Sequence, residues 1–104
     1  MLVMVDSRFP GSSMKRAVEV FTSSELPPRP DYVNEVASFV HSSLDGYHTT
    51  VLIEVEDAHA AEYVVVHAER AAYMMTRIPG FTVEARYGQS LPQAIGNLMK
   101  HLAQ

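Results

Sequence analysis

Between His48 and Tyr87 the apolar residues change period twice, from two to between three and four and then back to two. Val51, Ile53 and Val55 alternate with Thr50, Leu52 and Glu54 along His48–Asp57, a β-branched pattern that predicts a strand. Asp57 is placed to cap a following helix, because its carboxylate can accept from the free N–H groups of a first turn. Ala61, Val64, Val65, Ala68, Ala71, Ala72, Met75 and Ile78 then recur at helical spacing, with Glu62, Glu69, Arg70, Tyr73 and Arg77 mostly elsewhere around the axis. The run Val64-Val65-Val66 costs a helix about half a kcal/mol per valine, which packing of a long apolar stripe outweighs. Pro79-Gly80 ends the helix, and Phe81–Tyr87 resumes period two, with Phe81, Val83, Ala85 and Tyr87 on one side. Thr82, Glu84 and Arg86 take the other side.

The flanking segments complete an α+β pattern. In Leu2–Phe9, Val3, Val5, Ser7 and Phe9 share one face while Leu2, Met4, Asp6 and Arg8 share the other. Pro10-Gly11 closes that strand, Ser12 or Ser13 is the expected N-cap, and Met14, Ala17, Val18 and Phe21 form the apolar side of a short helix. The proline-rich run Leu26–Pro30 enforces an extended connector within one domain. Asn34–Ser42 is a further strand, and Asp45-Gly46 signals the hairpin that joins it to the next. With those two as loop residues, Leu44 faces Tyr47, Val40 faces Val51, Ser38 faces Ile53 and Val36 faces Val55. On the opposite side Phe39 faces Leu52, His41 faces Thr50 and Ala37 faces Glu54, so the apolar sets coincide. Ser90-Leu-Pro-Gln93 is a capping-box pattern opening a last helix, whose Ala94, Ile95, Leu98, Met99 and Leu102 share a face.

Length and charge bound the rest. The 104 residues predict a single domain spanning 1–104. A net charge of −4, with its eight basic residues scattered, argues against broad phosphate-backbone binding and hence against nucleic acid as a partner. The absence of cysteine rules out disulfides and thiolate metal sites and favours a reducing, cytoplasmic setting. MLVMV is too short for a signal-peptide core, and no apolar run reaches membrane-spanning length.

The element order β-α-β-β-α-β plus a terminal helix predicts a ferredoxin-like antiparallel sheet, strand order 4-1-3-2, with two helices on one face. The other face then carries Leu2, Met4, Ala37, Phe39 and Leu52 among Asp6, Arg8, His41, Glu54, Glu84 and Arg86. That apolar patch predicts a cover, most simply a second copy of the chain related by a two-fold axis. The opening MLVMVDSRF, the helix after IEVED and the closing RIPGFTVEARYGQSLPQAI resemble the dimeric α+β barrel superfamily of ferredoxin-like folds. Within it the chain is similar to the small muconolactone isomerase-like and uncharacterised barrel families, a resemblance at the level of fold over almost the whole chain. It implies a homodimer; the superfamily holds isomerases, monooxygenases, dehydratases and members without assigned activity, and fold alone does not choose among them. Its monooxygenases often place a tryptophan in their pocket, and this chain has none.

Asp6, Arg8, Glu54, Glu84 and Arg86 are expected to converge on the open face. There Asp6, Glu54 or Glu84 could move a proton while Arg8 or Arg86 anchors a carboxylate-bearing ligand. The competing reading is an interfacial ion-pair network that sets dimer register. His41 is the one histidine expected on this face, as a general base, a haem ligand or simply a hydrogen-bonded strand residue. Phe39 and Leu52 would line a ligand site or fill it. The five histidines form no metal-ligand spacing, and no cofactor is implied. Two functions follow from the residues: a homodimeric module that binds a small organic ligand or serves structurally, or a cofactor-free isomerase acting on a small organic acid.

Overall fold

Period-two alternation gathers four stretches into one antiparallel sheet: β1 (Leu2–Phe9), β2 (Val33–Ser43), β3 (Gly46–Val55) and β4 (Thr82–Gly88). Three helices accompany them, α1 (Met14–Phe21), α2 (Ala60–Arg77) and α3 (Leu91–Leu102). The computed structural model describes residues 1–103. Strand order is β2-β3-β1-β4, which from the opposite edge reads 4-1-3-2. This mixed α+β architecture, with an open four-stranded antiparallel sheet, is compatible with a ferredoxin-like fold.

The core lies between the sheet and two of the helices, in two clusters. One joins Phe9, Ala17, Val20, Ile78 and Phe81. Its rings are in contact, Phe9 stacking on Tyr47 at 5.5 Å and meeting Phe21 edge-on at 6.0 Å between centroids. The other joins Val3, Ile53, Val55 and Tyr63. In α1, Val20 takes the buried place predicted for Val18, since residues 17, 20 and 21 lie closer together around the axis than 17 and 18. Neither Ser13 nor Asp57 caps a helix through its side chain. The buried Ser13 hydroxyl donates to the Pro79 carbonyl at 2.6 Å, and Arg16 Nε donates to the Arg77 carbonyl at 3.0 Å. The start of α1 thereby satisfies carbonyls at the end of α2. Asp57 instead opens a single 3-10 turn ahead of α2, and its carboxylate lies 2.7 Å from the Met1 amino nitrogen. Ser90 does cap α3, its hydroxyl accepting from the Gln93 N–H at 3.3 Å.

α2 is rotated from the predicted orientation. Tyr63 is fully buried, and Val66, His67, Arg70 and Met74 are partly covered on the same side. Ala61, Val64, Val65, Ala68, Ala72 and Met75 face outward, with Val65 58% exposed. A tyrosine with methionine and valine removes more apolar surface from water than the alanine-rich stripe does, so the aromatic side wins the sheet. The hairpin register also differs. Leu44-Asp45 forms the loop, Ser43 opposes Gly46, Phe39 opposes Thr50 and Ala37 opposes Leu52. A shift at the tip by two residues leaves each side chain on its predicted face, because the strand period is two. A bulge between Glu35 and Ala37 then slips the register by one, so that Val33, not Val36, opposes Val55.

The chain is longer than a globule of its size. Its radius of gyration is 16.0 Å, against about 13 Å for a compact domain of roughly 100 residues. Two parts stand clear: β2, exposed along nearly its whole length, and α3, whose Leu91, Leu98, Met99 and Leu102 are exposed. No helix among the described residues is long and apolar enough to cross a membrane.

Candidate functional site

The sheet register arranges the open face in rows, read from β2 to β4. His41–His48–Arg8–Thr82 is the row nearest the hairpin tip, followed by Phe39–Thr50–Asp6–Glu84, then Ala37–Leu52–Met4–Arg86, then Asn34–Glu54–Leu2–Gly88. The first two rows apart from Phe39, together with Arg86, line an open cavity of about 610 Å³. Thr50 Oγ1 donates to Asp6 Oδ1 at 2.6 Å, Arg86 Nη1 lies 3.9 Å from Asp6 Oδ2, and Arg86 Nε donates to Glu84 Oε1 at 3.3 Å. Arg8 has no ion-pair partner among the described residues. His41 stacks on His48 at 4.8 Å between ring centroids.

Four of the five charged residues predicted to converge are therefore together, and Glu54 is not. It opposes Leu2, four residues along β3 from Thr50, which is roughly 13 Å at the strand rise. Glu54 lies instead with Ser90 and Gln93 at the start of α3. Phe39 and Leu52 sit on the open face but outside the lining of the polar cavity. His48, Thr50 and Thr82 were not among the predicted site residues. Counting back by twos from Leu52 puts His48 on the same face, so the signal for it was present.

A second cavity, of about 230 Å³, lies on the other side of the sheet, under α1, α2 and the proline-rich connector. Val5, Val51 and Val83 form its floor, Phe21, Leu26, Met74 and Phe81 its walls, and Arg29 and Arg70 add two guanidinium groups. No carboxylate lines it among the described residues. Arg70 comes from the inner face of α2 and donates to the Pro27 carbonyl. Arg29 lies 3.4 Å from the exposed Glu35 carboxylate, and its Nε is buried without a partner. Burial, and then the like charge of Arg29, pushes Arg70 below its usual value, although an arginine remains protonated. Sequence reasoning missed this pair. The available signal was positional: Arg70 is one heptad from Tyr63, and Arg29 is the one charge inside the proline run.

His67, next to this region, titrates from the same cause. Burial, then Arg70, holds its imidazole below the ordinary 6.5. Above that pH both folded and unfolded chains carry it neutral, and its burial costs nothing through protonation. As pH falls through 6.5 the unfolded chain takes up a proton that the folded one resists, so stability drops until the folded imidazole protonates as well. His67→Gln is expected to flatten this slope. Urea midpoints at about pH 7 and about pH 5 check it, the wild type losing more than the variant between them.

Compared with family models, curated proteins and solved structures, the chain matches none.

Proposed function

We propose that the chain is a homodimeric small-molecule-binding module, two ferredoxin-like sheets meeting through their open faces as a dimeric α+β barrel. The observation that carries this reading is the apolar half of that face. Phe39 is 64% exposed and Met4 38% exposed, with Leu2, Ala37 and Leu52 beside them and an ionic cluster at one end. A contiguous apolar patch bordered by charge is the usual mark of an interaction surface. Covering it contributes about 25 cal/mol per Å² of apolar area, before the cost of association. The exposed apolar side of α3 supplies a second strip that a partner can cover, which brings the junction toward the roughly 1,600 Å² of a standard interface. Sedimentation equilibrium at micromolar concentration is expected to give twice the chain mass of 11.6 kDa. A mass of one chain overturns the proposal.

The second reading is a cofactor-free isomerase acting on a small organic acid, and Arg8 is what favours it. An arginine without an ion-pair partner beside Asp6 and Glu84 could anchor a substrate carboxylate while one of those acids moves a proton. Glu84→Gln separates the two readings. As a register element it removes the Arg86 partner, and the dimer dissociation constant rises several-fold with no other loss. As a catalytic base it leaves the dimer in place and abolishes proton exchange at a bound acid, read by deuterium incorporation from heavy water. Glu54→Gln, remote from the cluster, should change neither.

A further inference from the structure

The cavity between sheet and helices has a composition the open face lacks: apolar floor and walls, two guanidinium groups and no acid. Arg70 has no carboxylate beside it and Arg29 only the exposed one of Glu35, at 3.4 Å, so two partly covered guanidinium groups facing one apolar space can still take an anion from outside. We infer that this cavity binds an amphiphilic monocarboxylate, its tail among Val5, Phe21, Met74 and Val83 and its carboxylate between Arg29 and Arg70. The inference deepens the small-molecule half of the reading above and rests on it, but not on the dimer.

Size and chemistry agree. About 230 Å³ exceeds the roughly 150 Å³ that accommodates a benzene in an engineered cavity, so a small ring or a short acyl chain fits. Arginine presents paired N–H donors matched to the two oxygens of a carboxylate. The Arg29 Nε is buried and lacks an acceptor, leaving one donor that an incoming oxygen can satisfy. The Arg70 bond to the Pro27 carbonyl ties the proline-rich connector to α2 and restrains this guanidinium at the cavity wall. A neutral ligand with the same tail would leave both cations as they are, so the site should discriminate by charge more than by tail shape.

The test uses the full chain and three probes: octanoate, octanol with a comparable tail and no charge, and acetate with the charge and no tail. Methyl NMR reads Met74 and Val83 in the cavity against Met4 and Leu52 on the open face. Octanoate is expected to move Met74 and Val83 at concentrations at least about tenfold below those needed for octanol, with acetate weaker than either. Arg70→Gln and Arg29→Gln should each erase the preference for octanoate over octanol, and Arg70→Lys should restore part of it in the first case. If Arg70→Gln does not fold, Met74→Trp fills the cavity with both arginines intact and should abolish the response. Equal response to octanol and octanoate overturns the inference, as does movement confined to Met4 and Leu52 or a preference surviving in the glutamine variants or in Met74→Trp. Sedimentation of the same samples keeps the two ideas apart. A dimer indifferent to octanoate sinks the cavity inference alone, and a monomer that responds supports the cavity while sinking the dimer alone.

Discussion

Phe39→Asp is expected to turn the dimer into monomers that remain folded. Phe39 opposes Thr50, in the same row as Asp6 and Glu84. In the isolated chain Phe39 is 64% exposed, with its ring 5.5 Å from that of His41 between centroids. Replacing it therefore removes little from the fold of one chain. At a buried junction the same change deletes an aromatic anchor and places a third carboxylate in a row that already holds two. Loss of a central aromatic costs about 2–4 kcal/mol, and desolvating an unpaired charge adds to it. The dissociation constant should rise by roughly two to three orders of magnitude. Sedimentation velocity reads the dissociation, and far-ultraviolet circular dichroism of the monomer reads the retained fold. Val65→Asp is the companion measurement, since the outward stripe of α2 is an exposed apolar surface that lies outside the proposed junction. A dimer that survives Phe39→Asp and falls apart with Val65→Asp would move the junction to the helices and end the face-to-face arrangement.

That the rival surface exists at all follows from the one helix whose orientation the sequence misdirects. The spacing of Ala61, Val65, Ala68, Ala72 and Met75 is as regular as any in the chain, and it points to solvent. Periodicity weighs positions, whereas burial weighs area, and Tyr63 alone outweighs several alanines. The strands behave differently. A period of two is insensitive to which residues pair, so the two-residue shift at the hairpin tip left the open-face set unchanged, and Asp6, Arg8, His41, Glu84 and Arg86 assemble as the alternation implied. Position along the strand is the part alternation cannot supply, and that is why Glu54 falls away from the group. The bulge before Ala37 leaves no compositional mark, so Val33 could not be distinguished from Val36 as the partner of Val55. Arg29 and Arg70 meet only because the connector crosses the inner side of α2, a long-range closeness that spacing does not encode.

The largest effect on stability is expected at Gly46. Asp45-Gly46 looks like the centre of a hairpin turn, yet Gly46 is the first residue of β3 and opposes Ser43, with a φ of 127°. It is buried against the end of β1. A Cβ there would lie 2.2 Å from the Phe9 carbonyl oxygen and 2.8 Å from Pro10 Cα, both backbone atoms that no rotamer change can move. Gly46→Ala thus combines a positive φ that an L side chain rarely adopts with overlap against a second strand. Each contribution is worth about 1–3 kcal/mol, giving a loss on the order of 3–5 kcal/mol. For a domain of about 100 residues that lowers the melting temperature by roughly 15–30 °C. The damage should be local first, because the carbonyl in the way belongs to Phe9, whose ring stacks on Tyr47 and, at 6.5 Å, on Phe81. Arg8 and His48, one residue further in, would lose their alignment in the polar cavity. Gly96→Ala provides the contrast: its added methyl meets nothing within 4 Å, and in the interior of α3 alanine should gain about 0.5–1 kcal/mol. A Gly46→Ala protein melting beside the wild type would mean that β1 and the hairpin can separate freely, and the row containing Arg8 and His48 would then have no fixed base to stand on.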